Sequence, residues 1–235
     1  MILVTSGCSF SECISEHIDT WPRHLARSLV CDHHPLGLGS QGNGLIMRKL
    51  LYKLEQLKDH HSDILVGVMW SGPNRNDFYC QNVPFLSQAD RDSQGAQMNP
   101  TGVVPGWNKW MIMNYNWEDR YSKAYYENFY NQPWSVIQTL EHILHTQWYL
   151  ERKGIRYFMT TYLDTKLFED RNPDIKWLAD QVDRSKFLPV TGCYEWCRDN
   201  TNIKFDPNDK HPSTEQHRLF TEQVIMPYLT ANSLV

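Results

Sequence analysis

Apolar positions along the chain form short continuous runs, which predict buried strands. Residues 2–5 are one such run, and residues 63–70, with the sequence DILVGVMW, are apolar almost throughout. A run of that kind is typical of a parallel strand that is covered on both faces. A third strand is predicted over residues 155–161, after the helix stop signal Gly154, and residues 35–38 are a weaker candidate. These segments are the expected core of a sheet.

Apolar residues at intervals of three and four predict helices between these strands. The predicted helices cover residues 21–30, 45–57, 134–152 and 214–229. Strands that alternate with helices indicate an α/β fold with a mostly parallel sheet between two helical layers, a three-layer α/β/α sandwich. Residues 78–131 break the pattern with polar, Pro, Gly and aromatic residues, and we expect an aromatic-rich insertion or lid there. The prediction is one domain over residues 1–235.

Composition and charge are those of a globular protein and argue against two classes of partner. Hydrophobic residues make up 41% of the chain and charged residues 21%, with a net charge of −4. Because no basic stripe is present, we expect no nucleic-acid partner. No stretch approaches the roughly 18 apolar residues that span a bilayer, and Met1 leads directly into the first strand, so we expect no membrane association and a cytoplasmic location. The six cysteines form no CxxC pair that would indicate a metal site, and nothing indicates the oligomeric state.

A serine follows the first predicted strand at once, in the segment Gly7-Cys8-Ser9-Phe10-Ser11. The crevice outside the carboxyl ends of parallel strands is where α/β folds place their sites. A serine hydroxyl is a poor nucleophile unless a base lies within hydrogen-bond reach. On its own the segment is equally consistent with a serine that caps the next helix. The adjacent Cys8 is an alternative nucleophile, as a thiolate.

A histidine near the other end of the chain is the candidate base. His211 lies on the predicted loop before the helix of residues 214–229. A neighbouring acid could accept the second ring N–H, hold the tautomer and stabilise the imidazolium. We assign Asp209 to that role, with Asp206 as the fallback. Asn208 is a further alternative, which could orient the ring but could not offer charge.

Two further segments could stabilise the oxyanion that forms in acyl transfer. Gly42, in Gly39-Ser40-Gln41-Gly42, has an unhindered backbone N–H, and Asn74, in Gly72-Pro73-Asn74, follows the strand of residues 63–70. A backbone N–H and an amide side chain are the donors that such a site needs. Each residue taken separately is better explained as part of a turn.

Together, these four segments resemble the blocks of the SGNH (GDSL-like) hydrolase family, which carry Ser, Gly, Asn and His in that order. Three positions depart from the family pattern. Cys8 stands where the family usually has Asp, Arg75 rather than Asp follows Asn74, and Asn208 lies three residues before His211, where the family has its acid. The resemblance spans the chain and implies a flavodoxin-like α/β/α sandwich that hydrolyses esters, often of acylated sugars or lipids.

The resemblance also implies a mechanism through an acyl-enzyme, which requires no metal or organic cofactor. Ser9 would attack the ester, His211 would take its proton, and Asp209 would orient the ring. The Ser9 N–H, the Gly42 N–H and the Asn74 amide would hold the oxyanion.

The expected substrate is an ester of a small molecule or glycan. Aromatic residues are concentrated between positions 107 and 148, and Trp107, Trp110 and Trp117 could stack on sugar rings, although packing onto the sheet would also explain them. Two alternatives remain open. One is acyl transfer to a sugar acceptor by the same residues, and the other is a non-catalytic carbohydrate-binding or virion-associated module on the same fold.

Overall fold

The computed structural model describes residues 1–13, 18–80, 97–98, 110–169, 172–207 and 209–235. Its strands are β1 (Ile2–Ser6), β2 (Asp32–Pro35), β3 (Ile64–Trp70), β4 (Arg75–Tyr79), β5 (Gln97–Met98), β6 (Trp110–Asn114) and β7 (Arg156–Thr161). Its helices are α1 (Trp21–Leu29), α2 (Asn43–Gln56), α3 (Arg120–Asn128), α4 (Gln132–Lys153), α5 (Pro173–Ala179), α6 (Cys193–Asn200), α7 (Thr214–Phe220) and α8 (Met226–Ala231).

Four parallel strands form the central sheet, in the order β2-β1-β3-β7. β1 pairs with β2 and β3, so that Ile2 lies opposite Asp32 on one side and Ile64 on the other. β7 pairs with the far side of β3, where Leu65 lies opposite Arg156. The chain runs outwards from β1 to β2 and then crosses back to β3. The carboxyl ends of β1 and β3 therefore flank a topological switch point, where open α/β sheets bind their ligands.

Alternate residues of the strands face two helical layers. Leu3 and Leu65 pack in a cluster with residues of α1, α6, α7 and α8, whereas Val4 and Val66 pack in a second cluster with α2, α4 and α5. All four side chains are fully buried, because each strand is covered on both faces. The predicted three-layer α/β/α sandwich is confirmed.

Two elements differ from the predicted ones. The strand expected over residues 35–38 is instead Asp32–Pro35, a polar strand at the edge of the sheet that lacks the apolar signal of a buried strand. The helix expected over residues 214–229 is interrupted by one π-helical turn, Thr221–Ile225. In the part of the chain that the structure describes, no helix combines the length and the apolar character needed to cross a bilayer.

The stretch expected to be an irregular insertion, residues 78–131, contributes to a second, antiparallel sheet in the order β4-β6-β5. β4 begins before that stretch, and its pairing with β6 runs from Arg75 opposite Asn114 to Tyr79 opposite Trp110. Residues 81–96 and 99–109 of the expected lid lie outside the described residues. The single-domain organisation over residues 1–235 stays a prediction.

Candidate active site

Ser9 lies on a tight turn directly after β1. It opens the three-residue 3-10 turn Ser9–Ser11. The Gln41 side-chain amide donates to the Gly7 carbonyl and ties this turn to the segment after β2. A Cβ on Gly7 would lie 2.3 Å from Ser11 Oγ, so the close approach requires glycine at this position.

His211 lies opposite Ser9, on the loop before α7. Ser9 Oγ and His211 Nε2 are 2.7 Å apart, although 202 positions separate them in the chain. The His211 ring also packs against Phe10, with ring centroids 5.0 Å apart. The loop ends at Ser213, which begins α7 with a capping box formed with Gln216. The tertiary fold thus brings the predicted nucleophile and base into hydrogen-bond contact.

Asp209 contacts the other side of the histidine ring. Its Oδ1 accepts a hydrogen bond from His211 Nδ1 and another, at 3.0 Å, from the His211 backbone N–H. Partial burial acts to raise the pKa of the Asp209 carboxyl, but these hydrogen bonds and the His211 charge outweigh it, so the pKa lies below its ordinary value. Asp206 instead accepts the Asp209 backbone N–H through its carbonyl, and Asn208 lies outside the described residues.

Cys8 is turned into the core rather than towards the histidine. Its side chain is fully buried in the cluster that also contains Cys193 and Cys197 of α6. A thiolate nucleophile needs a partly open, electropositive environment. The geometry therefore favours Ser9 over Cys8 as the nucleophile.

The position of Gly42 corrects one expectation. Its N–H donates to Asp77 Oδ1 at 2.9 Å, and the Leu45 N–H donates to Asp77 Oδ2 at the same distance. A Cβ on Gly42 would lie 2.6 Å from the Arg75 carbonyl oxygen. Gly42 therefore allows β4 to approach the start of α2, and its N–H is not open to an oxyanion. No local pattern could show this, because the partner lies 35 positions away.

Asn74 lies on the turn after β3, as expected. Its Oδ1 lies 2.6 Å from the position that a Cβ on Gly72 would take, and the Tyr162 hydroxyl lies 3.2 Å from the same position. The Tyr126 hydroxyl donates to the Asn74 carbonyl at 2.6 Å and holds the turn. The oxyanion role of the Asn74 amide and of the Ser9 N–H stays a prediction.

Two of the three tryptophans proposed for sugar binding have packing contacts. Trp110 and Trp117 are half-buried against a small cluster of Leu38, Leu45 and Ile112. The Arg48 guanidinium lies over the Trp110 ring, 4.9 Å from its centroid. Trp107 lies outside the described residues. Sugar stacking by these residues stays a prediction.

Sequence reasoning missed a group of charged residues behind the site. Burial lowers the pKa of Lys49 to about 8 and raises that of Asp77 to about 6. Burial also raises the pKa of Glu12, although the Gly39 N–H and the charges of Lys49 and His211 act against it. The one signal in the sequence was Lys49. It lies three residues after the apolar Ile46 of the predicted helix, and residues at that spacing share a helix face.

The chain is similar to one protein family and to solved structures. Residues 10–235 match the model of a family of unknown function, DUF6071. A comparison with curated proteins gives no match. The crystal structure of TesA is similar at a TM-score of 0.51 and 13% identity, covering 98% of this chain and 99% of TesA.

Two further solved structures resemble the chain less. One, described as a lipolytic protein of the G-D-S-L family from Desulfitobacterium hafniense, has a TM-score of 0.41 and 13% identity, covering 94% of this chain and 95% of its own. The other, described as a GDSL-like lipase from Parabacteroides merdae, has a TM-score of 0.46 and 9% identity, covering 100% and 96%.

The likeness to TesA concerns the fold alone, and the α/β fold with a parallel sheet flanked by helices agrees with the fold predicted from the sequence. Because the family model matches nearly all of the sequence, this protein belongs to the DUF6071 family.

Proposed function

We propose that this protein is a serine hydrolase that cleaves an ester through an acyl-enzyme. The observation that carries the proposal is the 2.7 Å contact between Ser9 Oγ and His211 Nε2, with Asp209 on the other ring nitrogen. A hydroxyl, an imidazole and a carboxylate in this order are the three parts of a serine hydrolase triad. The hydrolase-like fold supports the same conclusion.

In this mechanism His211 takes the Ser9 proton as Oγ attacks the ester carbonyl carbon, and then gives it to the leaving alcohol. Water next attacks the acyl-enzyme, with His211 again as the base. Asp209 keeps the proton on His211 Nδ1 and stabilises the imidazolium. The Asp209 carboxylate is ionised at neutral pH, as an ordinary aspartate is, and the lowering of its pKa acts in the same direction. The Ser9 N–H, at the start of a 3-10 turn, and the Asn74 amide are the proposed oxyanion donors.

The openness of the site supports a polar substrate. The side chains of His211 and Asp209 are 41% and 53% exposed, so an ester can reach them from solvent. We therefore propose an acetyl or other acyl group on a carbohydrate or another polar alcohol as the substrate class.

Hydrolysis of p-nitrophenyl acetate by the wild type and by Ser9→Ala tests this proposal. Ser62→Ala is the matched control, because Ser62 is an exposed serine far along the chain. We expect Ser9→Ala to abolish turnover and labelling by a fluorophosphonate, and Ser62→Ala to retain both. Equal rates in the wild type and Ser9→Ala would refute the hydrolase proposal, and absence of both turnover and labelling in the wild type would favour a non-catalytic module.

Acyl transfer would use the same residues, and its products distinguish it from hydrolysis. Adding a sugar acceptor to the assay and identifying the products by mass spectrometry distinguishes the two reactions. Both reactions release p-nitrophenol from p-nitrophenyl acetate, but hydrolysis converts the acyl group into the free acid, whereas transfer produces an acylated sugar.

A further inference from the structure

A small polar cavity lies where the start of α2 meets α4 and the beginning of β4. Its volume is about 80 Å³, which is several times the space that one water molecule needs. The residues that matter for its chemistry are Asn43, Gly44, Arg48, Arg75, Asp77 and His142. Arg48, Arg75 and His142 are only partly buried, so solvent reaches this region.

Two guanidinium groups are held at this cavity by aromatic rings. Arg48 lies over Trp110, and Arg75 lies over Tyr162 with its Cζ 4.8 Å from the ring centroid. The Arg75 Nη1 atom is buried and has no hydrogen-bond partner among the described residues. Leaving a buried charged donor without an acceptor costs free energy, and each such group in a folded protein calls for an explanation. A bound anion would supply the missing acceptor.

Further donors surround the same space. His142 Nδ1 is also buried without a partner among the described residues. Burial, aided by the Arg48 charge, lowers the pKa of His142 to about 4, so the ring is neutral at pH 7 and one of its nitrogens carries a hydrogen that it can donate. Asn43 and Gly44 are the first residues of α2, and N–H groups in a first helical turn have no partner within the helix.

The balance of charge at the cavity is positive. Asp77 is the one carboxylate among its lining residues, and both of its oxygens already accept hydrogen bonds from the Gly42 and Leu45 N–H groups. The Asp77 carboxylate is thus paired with the start of α2, and two guanidinium groups lie beside it at the cavity.

We propose that this cavity binds a phosphate group, held by Arg48, Arg75, His142 and the backbone N–H groups of Asn43 and Gly44. Planar guanidinium groups match phosphate oxygens in pairs, and helix N-termini favour phosphate. This inference does not depend on the proposed ester hydrolysis.

The phosphate is either a free ion or part of the substrate. The second source is consistent with the geometry, because Tyr162, which contacts Arg75, packs on Phe10 with centroids 5.3 Å apart, and Phe10 packs on His211. Two aromatic rings therefore separate the Arg75 guanidinium from the proposed base.

Titration of the full-length protein with sodium phosphate, followed by calorimetry and thermal unfolding at constant ionic strength, tests the site. Arg48→Gln and Arg75→Gln are the test variants, and Arg152→Gln, at the exposed end of α4, is the matched control. We expect saturable binding to the wild type and to Arg152→Gln. Each test variant should bind about tenfold more weakly or worse, because one charge-assisted hydrogen bond is lost.

The proposal would be overturned if phosphate gave no more binding heat than chloride in calorimetry and raised the melting temperature of the wild type no further than chloride does. Phosphate affinity that is unchanged in both folded test variants would also overturn it. If either arginine variant is unfolded by circular dichroism, His142→Ala replaces it, and the wild-type titration remains decisive.

Turnover of an acetylated sugar phosphate, compared with the same acetylated sugar without phosphate, distinguishes the two sources. A lower KM for the phosphorylated ester that is lost in Arg48→Gln identifies the substrate's phosphate as the ligand. Equal KM values together with saturable phosphate binding identify a free ion. Phosphate binding without any ester turnover would refute the proposed function and leave this site supported.

Discussion

Among individual side chains, Asp209 is the one whose replacement should separate catalysis from folding. Asp209→Asn keeps the size of the side chain and removes the charge that stabilises the His211 imidazolium. We expect kcat for p-nitrophenyl acetate to fall by about 10²–10⁴-fold. The Asp209 side chain is 53% exposed, so the melting temperature should change little. Asp63→Asn, which alters an exposed carboxylate elsewhere, controls for loss of charge, and activity within a few-fold of wild type would exclude Asp209 from the triad.

Cys8 shows that a position within a recognisable motif can have a purely structural environment. The SGNH pattern has Asp here, but this side chain lies in an apolar cluster with no exposed surface. We expect Cys8→Asp to reduce the free energy of unfolding by about 3 kcal/mol or more, since it buries a carboxylate without a partner. Urea denaturation measures the change, with Cys8→Ala as the control for lost packing. Equal stabilities of the two variants would mean that the aspartate reaches solvent.

Among secondary-structure elements, the contact between α2 and β4 depends on the absence of a side chain at Gly42. A Cβ there would lie 2.6 Å from the Arg75 carbonyl and 2.7 Å from Asp77 Oδ2, both too close for a real contact. Gly42→Ala should therefore move β4 and cost about 1–3 kcal/mol of stability.

Gly39→Ala is the matched control, because its Cβ would meet only the end of the Glu12 side chain, at 3.1 Å. Thermal unfolding of both variants measures the difference. Equal losses of stability in the two would contradict the proposed close contact.

Across the molecule, Asp77 connects the antiparallel sheet to the start of α2 through its hydrogen bonds with the Gly42 and Leu45 N–H groups. Burial raises the pKa of Asp77 to about 6. The Gly42 and Leu45 N–H groups and the charges of Arg48 and Lys49 lower this pKa and offset part of the effect of burial. The folded state therefore holds the Asp77 proton more tightly than the unfolded chain does. Between about pH 4 and pH 6 this group makes stability fall as pH rises, by about 2 kcal/mol.

Comparison of the wild type with Asp77→Asn isolates this contribution. The amide cannot ionise, so the stability of the wild type relative to the variant should decrease by about 2 kcal/mol from pH 4 to pH 7. Urea unfolding at several pH values measures it, with Asp63→Asn as the control for a lost exposed charge. A difference between wild type and Asp77→Asn that is independent of pH would contradict the raised pKa.

The overall architecture was predictable wherever burial requires a recognisable pattern of apolar residues in the local sequence. β1 and β3 have apolar residues on both faces, and the apolar stripes of α2 and α4 repeat at helical spacing, so both kinds of element were recognisable. The prediction placed β2 too late in the sequence, because an edge strand can be polar and then lacks the apolar pattern of a buried strand. The antiparallel pairing of β4 with β6 was missed because two short strands separated by 30 residues or more leave no local period.

The order of residue types along the chain was enough to predict the parallel α/β/α fold and the candidate nucleophile, base and acid. Burial on both faces requires apolar strands, and triad chemistry requires particular side chains after them. The contact of Ser9 with His211, the burial of Cys8, the pairing of the Gly42 N–H and the cavity beside Arg75 depend instead on the assembled chain. Each of these features involves segments that are distant in sequence. The distances between their atoms, and the access of solvent to them, are decided only when the elements pack together.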